Sequence, residues 1–386
     1  MMLPRPSGRP SPAGLICDMA RAAEQPVEYP EGPWATASLH GHAEAEALLL
    51  RAWQSDRMPH AMMITGPRGI GKATLAYRFA RFVQAQALEE ENSLFGEPAP
   101  ADSLFMAEDD PVFRQVAQGG HPGIVTVAPS VNPKTKKQRQ DIVVDDVRSM
   151  QSMYAMTAEG GAWRIAIVDA ADEMTRQAAN ALLKTLEEPP EKSLLLLIAH
   201  SPGQVLNTIR SRCQEVRLRP LNATDLSTVL AEHDIEVPEG RARNIALLSE
   251  GRPGHALMLM EADGLGLHDS ILDILERATR PDMNAIHNLG DQLARSGSER
   301  RFALFCELLE GILLRLVRSL GGQDESAGIC AAEKPIFAAM MQETPLEQWM
   351  EVWENTRQLF ARTEAVNLDK KQAVLLAFND VLKRMK

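Results

Sequence analysis

The stretch Ala61-Met62-Met63-Ile64-Thr65-Gly66-Pro67-Arg68-Gly69-Ile70-Gly71-Lys72-Ala73-Thr74 carries the reading of the fold. Its opening apolar run is the kind of segment buried inside a parallel sheet. Gly66 to Gly71 form a glycine-rich turn. Beyond it Leu75, Phe79, Phe82 and Val83 recur at the spacing of an amphipathic helix. Strand, glycine turn and helix together open an α/β unit.

The turn follows the pattern G-x-x-x-x-G-K-[ST] up to its last position. Gly66, Gly69 and Gly71 let backbone N–H groups curl round phosphates at a helix N-terminus, and Lys72 is placed to reach the β/γ oxygens. The position that should offer a hydroxyl to Mg²⁺ holds Ala73. Thr74 arrives one residue late, rotated ~100° round the helix. A degenerate nucleotide site is the expectation, with ATP or ADP as candidate cofactor. Its candidate residues are Gly66, Gly69, Gly71, Lys72, Thr74 and, from a later strand, Asp169.

On the N-terminal side, residues 1–37 are rich in proline and read as a flexible lead-in, followed by helical spacing from Leu39 to Trp53. On the C-terminal side, residues 88–111 carry eight acidic side chains and no Lys or Arg, which reads as a solvated insertion. Ile124–Ala128 reads as a second strand. Lys134, Lys136, Lys137 and Arg139 then form a small basic cluster, either solvated surface or a phosphate contact. Asp145 or Asp146 is placed to cap a helix through Met150–Met156. Trp163–Val168 is a third strand ending at Asp169, Ala178 to Leu186 a helix stopped by Pro189-Pro190, and Leu194–Ala199 a fourth strand. Strands alternating with helices imply a parallel sheet with right-handed crossovers. After Pro220 the spacing is helical only, with long amphipathic segments at Ala303–Leu320, Leu346–Thr363 and Lys371–Arg384.

The third strand bears on catalysis. Hydrolysis needs an Asp to order Mg²⁺ and an adjacent Glu to polarise water; this chain has Asp169 followed by Ala170. Asp172 and Glu173 fit a role as caps of the next helix. Ala73 and Ala170 are separate losses, and both strike hydrolysis.

Composition narrows the classes further. A net charge of −11 and 5% aromatic residues argue against an autonomous nucleic-acid binder. The longest apolar run is strand-sized, far short of the ~20 residues of a membrane helix. Four scattered cysteines without a CxxC pair argue against a disulfide framework or a cysteine zinc site. No signal peptide is apparent, and a cytoplasmic location is expected.

The block Asn180-Ala181-Leu182-Leu183-Lys184-Thr185-Leu186-Glu187-Glu188-Pro189-Pro190 resembles that of bacterial clamp-loader subunits, which are AAA+ proteins. Thr208-Ile209-Arg210-Ser211-Arg212-Cys213 and Met58-Pro59-His60-Ala61 resemble the same family. The resemblance implies an AAA+ P-loop parallel-sheet domain over residues 38–219, whose acidic insertion, about 88–120, replaces the family's zinc module; no zinc is expected. It implies a helical lid domain over 220–264 and a helical collar over 265–386. Ala73 and Ala170 align the chain with the silent stator of such rings rather than the gamma/tau motors. Arg212 would then be an arginine finger acting in trans, where spacing alone permits a plain surface arginine. Implied partners are gamma/tau and delta subunits, the sliding clamp indirectly, and primer-template DNA within the complex. An active P-loop motor and a nucleotide-free adaptor without a finger remain alternatives. The lid arginine that senses nucleotide in motors would fall at Gly254, with Arg252 nearby, and the sensing residue after the fourth strand at His200-Ser201.

Overall fold

The computed structural model describes residues 32–55, 58–92, 101–131, 139–155, 163–278, 280–322, 330–366 and 368–385. The chain divides between Pro220 and Leu221 into two compact units.

In the first unit, α1 (Ala43–Trp53) and β1 (Ala61–Thr65) precede α2 (Lys72–Asn92) and α3 (Pro111–Ala117). Then come β2 (Ile124–Val127), α4 (Val144–Ala155), β3 (Arg164–Asp169), α5 (Arg176–Glu187), β4 (Ser193–Ala199), the single turn α6 (Asn207–Arg210) and β5 (Gln214–Arg217). All five strands are parallel, in the order β2-β3-β4-β1-β5. Every residue of β1 and β4 is buried, which explains their unbroken apolar reading. Successive side chains of a strand face opposite ways. Met63, Ala166, Val168, Leu195 and Leu197 accordingly pack with Val147 and Met150 of α4 and Leu182 and Leu186 of α5. The result is a five-stranded parallel sheet with a glycine-rich turn after its first strand, followed by helices.

β5 was missed in the sequence. Its residues Gln214-Glu215-Val216-Arg217 bury only Val216, so an edge strand of this kind carries no apolar run to find. Pairing with β1 and a Thr65 Oγ1–H···Oε1 Glu215 hydrogen bond of 2.8 Å hold it in place.

Four local expectations are corrected. Residues 1–31 of the lead-in lie outside the described residues, but 32–37 are tied down. The buried Arg81 donates to Trp34 O at 3.0 Å and Thr36 O at 2.6 Å, and Arg78 donates to Ala37 O. The acidic insertion is not simply solvated. Residues 93–100 lie outside the described residues, but Leu104, Val112, Phe113 and Val116 are buried, and the Arg81 guanidinium stacks 4.2 Å over the Phe113 ring. Asp110 N-caps α3 through Val112 N and Phe113 N. Neither candidate caps α4 from the N-cap position; Asp146, inside the first turn, accepts from Val143 N at 2.9 Å. Asp172 and Glu173 do not cap α5 either, because Thr175 Oγ1 does. Of the basic cluster, Lys134, Lys136 and Lys137 lie outside the described residues, and Arg139 Nη1 donates to Ser130 Oγ at 2.9 Å.

Among its described residues the second unit holds helices and no strand. It comprises α7 (Ala223–Glu232), α8 (Ala242–Leu248), α9 (Pro253–Glu261), α10 (Gly264–Glu276), α11 (Met283–Leu293), α12 (Glu299–Leu320), α13 (Glu333–Glu343), α14 (Leu346–Val366) and α15 (Lys370–Lys383). Phe305, Leu308, Leu309, Ile312, Leu313 and Leu316 of α12 are buried in this unit's own core. Phe305 meets the rings of Phe360 and Phe378 at 5.9 and 5.8 Å. Glu333 of the same unit is fully buried. It accepts from His268 Nε2 at 3.0 Å, from Arg315 Nη2 at 2.5 Å and Nε at 3.1 Å, and from Cys330 N at 3.2 Å. With both oxygens of Glu333 taken up by N–H donors, the His268–Cys330–Glu333 group is a hydrogen-bonded network. No helix among the described residues is long and apolar enough to cross a membrane.

Candidate functional site

The glycine turn joins β1 to α2 at the C-terminal edge of the sheet, where α/β folds bind ligands. Gly66 has φ +149°, and a Cβ there would stand 3.0 Å from Leu218 O; Gly71 has φ +101°. Only glycine fits that path without strain. His42 Nε2 donates to Ile70 O at 2.9 Å, bracing the turn from the N-terminal side.

Lys72 is buried, and its amine donates to two carbonyls of its own turn, Gly66 O and Pro67 O, each at 2.7 Å. Burial pushes its pKa down to about 8, against the opposing pull of the Asp169 and Asp172 charges. Asp169, at the end of β3, has its carboxyl pushed above the usual range, chiefly by burial and despite Lys72 and Arg68. Arg68 forms an ion pair with Glu173. Burial also raises the Glu173 carboxyl, and Arg68 opposes it. Asp172 accepts from the backbone N–H groups of His200 and Ser201, at 3.0 and 2.7 Å, which ties the end of β3 to the end of β4. Sequence reasoning missed this role, since only the parallel pairing of β3 and β4 brings the two ends together. His200 is held down to about 4, first by burial and then by Lys72 and Arg68, so its imidazole is neutral. Its buried Nδ1 has no hydrogen-bond partner among the described residues.

The structure therefore gathers Gly66, Gly69, Gly71, Lys72 and Asp169 into one cradle. Its turn geometry, amine and orphaned imidazole nitrogen suit a polyphosphate. Ala73 offers Mg²⁺ nothing, and the buried Ala170 has no group to orient water. Thr74 is half-buried one position further along α2 and is not the pattern's hydroxyl. A phosphate seated here favours the charged amine, so its binding takes up a proton wherever free Lys72 is partly neutral. Affinity for ADP is expected to hold below pH 8 and to weaken about tenfold by pH 9. Calorimetric titration of the full chain at pH 7 and pH 9 checks this, and equal affinities would contradict it.

Arg212 lies elsewhere. The register sets Met62 opposite Gln214 and Thr65 opposite Arg217, so Arg212 precedes the N-terminal end of β5, while the glycine turn follows the C-terminal end of β1. At ~3.3 Å per residue, the length of the strand separates them. The three sequence blocks that carried the resemblance meet at that N-terminal edge. His60 Nε2 donates to Leu186 O at 3.1 Å. Arg212, 38% exposed, donates from Nη2 to Glu187 Oε1 and from Nη1 to Thr208 O, both at 2.9 Å. The adjoining Cys213 is packed against the core, and burial pushes its thiol up to about 11, which removes it as a nucleophile.

In the second unit Gly254 is buried within α9, and Arg252 is engaged locally, donating to Ser249 O at 3.1 Å and to His255 Nδ1 at 2.8 Å.

Comparison with known proteins gives a consistent set. Residues 41–222 match the family model described as DNA polymerase III, delta subunit. The DNA polymerase III subunit delta' of Pseudomonas aeruginosa is 31% identical over 218 residues, covering 56% of this chain and 60% of the relative. That of Escherichia coli is 29% identical over 227 residues, covering 59% and 62%. The chain thus spans about three-fifths of the length of these relatives. The tau/gamma subunit of Haemophilus influenzae is 26% identical over 322 residues, 81% of this chain and 42% of its own. A gamma-subunit-related structure from Thermotoga maritima aligns with 89% of this chain and all of its own, at 18% identity and a TM-score of 0.42.

Proposed function

This chain is a relative of the bacterial delta prime subunits of DNA polymerase III, and from that premise we propose that it is the stator of a clamp loader. In this reading it performs no ATP hydrolysis of its own. It presents Arg212 to nucleotide held by a neighbouring gamma/tau subunit and closes the ring against delta. The helices beyond residue 264 form the collar, those of 220–264 the lid. The assembly loads the sliding clamp onto primer-template DNA.

One observation carries the reading: the cradle lacks both groups that hydrolysis needs, while an exposed, doubly anchored arginine sits at the opposite edge of the sheet. An arginine so placed serves a phosphate on another subunit. A guanidinium fork suits the equatorial oxygens over which charge spreads in phosphoryl transfer. The nucleotide-free adaptor draws support from Lys72, whose amine is already satisfied by its own turn. It differs from the stator in having no use for Arg212. The active motor is disfavoured by Ala73 and Ala170.

Steady-state turnover tests the reading. The full chain alone is expected to hydrolyse ATP no faster than the buffer background. Added to gamma/tau and delta, it is expected to raise turnover stimulated by clamp and primed DNA well above that of the mixture without it. Hydrolysis by the isolated chain at a motor's rate would establish the alternative.

A further inference from the structure

We propose that Glu187 is a positioning residue for Arg212, an inference that rests on the reading of Arg212 as a finger. Glu187 is the last residue of α5, immediately before the Glu188-Pro189-Pro190 stop. A carboxylate there faces the negative end of the helix dipole, so it works against the helix that carries it. What compensates it is Arg212, whose Nη2 donates to Oε1 at 2.9 Å.

Both sides of this contact are fixed by buried neighbours. Leu186 is buried, and its carbonyl accepts from His60 Nε2 at 3.1 Å, so the end of α5 is pinned to the start of β1. Ile209 is fully buried and anchors the turn whose Thr208 O accepts from Arg212 Nη1. The guanidinium is thus held through two different nitrogens by two different elements. Arginine carries five N–H donors in a rigid fork. Two are engaged here, and among the described residues the remainder, Nε–H among them, stay open to a ligand. A free arginine chain must give up much of its rotamer freedom to meet a phosphate; this one has already done so. Glu187 touches no reacting atom and acts only through Arg212.

The test is stimulated ATP turnover of the reconstituted loader, with kcat and KM for ATP separated. Glu187 is 53% exposed, so its truncation is compatible with folding, and gel filtration and thermal melting of the full chain check that. Glu187→Ala is expected to lower kcat about three- to tenfold with KM unchanged, in keeping with a partly exposed ion pair. Glu187→Gln, which keeps an oxygen to accept from Nη2, is expected to restore most of that loss. In an Arg212→Ala background, Glu187→Ala should change nothing further.

A slow Arg212→Ala loader alongside a native-rate Glu187→Ala loader overturns the positioning role and leaves the finger standing. An equal loss from Glu187→Ala in both backgrounds overturns it as well, because Glu187 would then act by another route. An unchanged rate in Arg212→Ala itself removes the finger, and this proposal with it.

Discussion

Arg212→Ala is expected to cut the clamp- and DNA-stimulated ATP turnover of the assembled loader by at least about tenfold, and toward the 10³-fold typical of a finger supplied in trans. That range follows from the proposed finger role, in which a charge aimed where negative charge grows in the transition state, within a water-poor interface, is worth ~4 kcal/mol or more. The side chain does not support its own domain's core: it is 38% exposed and, among the described residues, bonds to Glu187 and Thr208 O. Loss of turnover without loss of assembly by gel filtration therefore reports chemistry. Arg212→Lys should recover only part of the rate, since an ammonium is a point charge without the planar fork. An unchanged rate in Arg212→Ala would reduce the chain to an adaptor.

Glu333→Ala has the largest expected effect on stability. The carboxylate is completely buried and satisfies Arg315, His268 and the Cys330 N–H. Its removal leaves a largely buried guanidinium with nothing opposite it. Breaking a buried pair in this way costs about 3–5 kcal/mol. At the ~2–4 °C per kcal/mol of a 150–250-residue unit, this amounts to roughly 10 °C in the melting temperature of the second unit. Burial alone would raise the Glu333 carboxyl, but the hydrogen bonds from His268 and Arg315 outweigh it and hold the pKa below its ordinary 4.5. A depressed carboxylate stabilises fully above its unfolded value and loses that contribution as pH falls through the folded one. The gap in melting temperature between the native chain and Glu333→Gln is therefore expected to be widest at neutral pH and to narrow below pH 4.5. A gap that is small at pH 7, or constant across this range, would contradict the account.

The sites that sequence reasoning reached and those it missed divide along a physical line. β1 and β4 were legible because both of their faces are covered, so the strands are apolar except at Thr65 and Ser193 on their ends. The cradle was legible because backbone demands at Gly66 and Gly71 exclude other residues, and because Lys72 follows at fixed spacing. β5 was not legible: an edge strand with one buried residue looks like any polar loop. The acidic insertion misled for a similar reason. Its charges are conspicuous in the sequence, while the Phe113–Arg81 stack that anchors it depends on a residue 32 positions away.

By itself the sequence determined the alternation of strands and helices, the glycine turn, and the absence of a magnesium hydroxyl and a catalytic glutamate, because each of these is set within a few neighbouring residues. Only the tertiary structure decided what those residues do together. It turned Lys72 onto its own turn, made Asp172 a brace for His200 and Ser201, and joined His60 to Leu186 and Glu187 to Arg212. Except for the lysine, these partners are from 25 to 126 residues apart in the chain. Their meeting follows from parallel strand pairing, which returns each helix to the same edge of the sheet, and no local spacing encodes it.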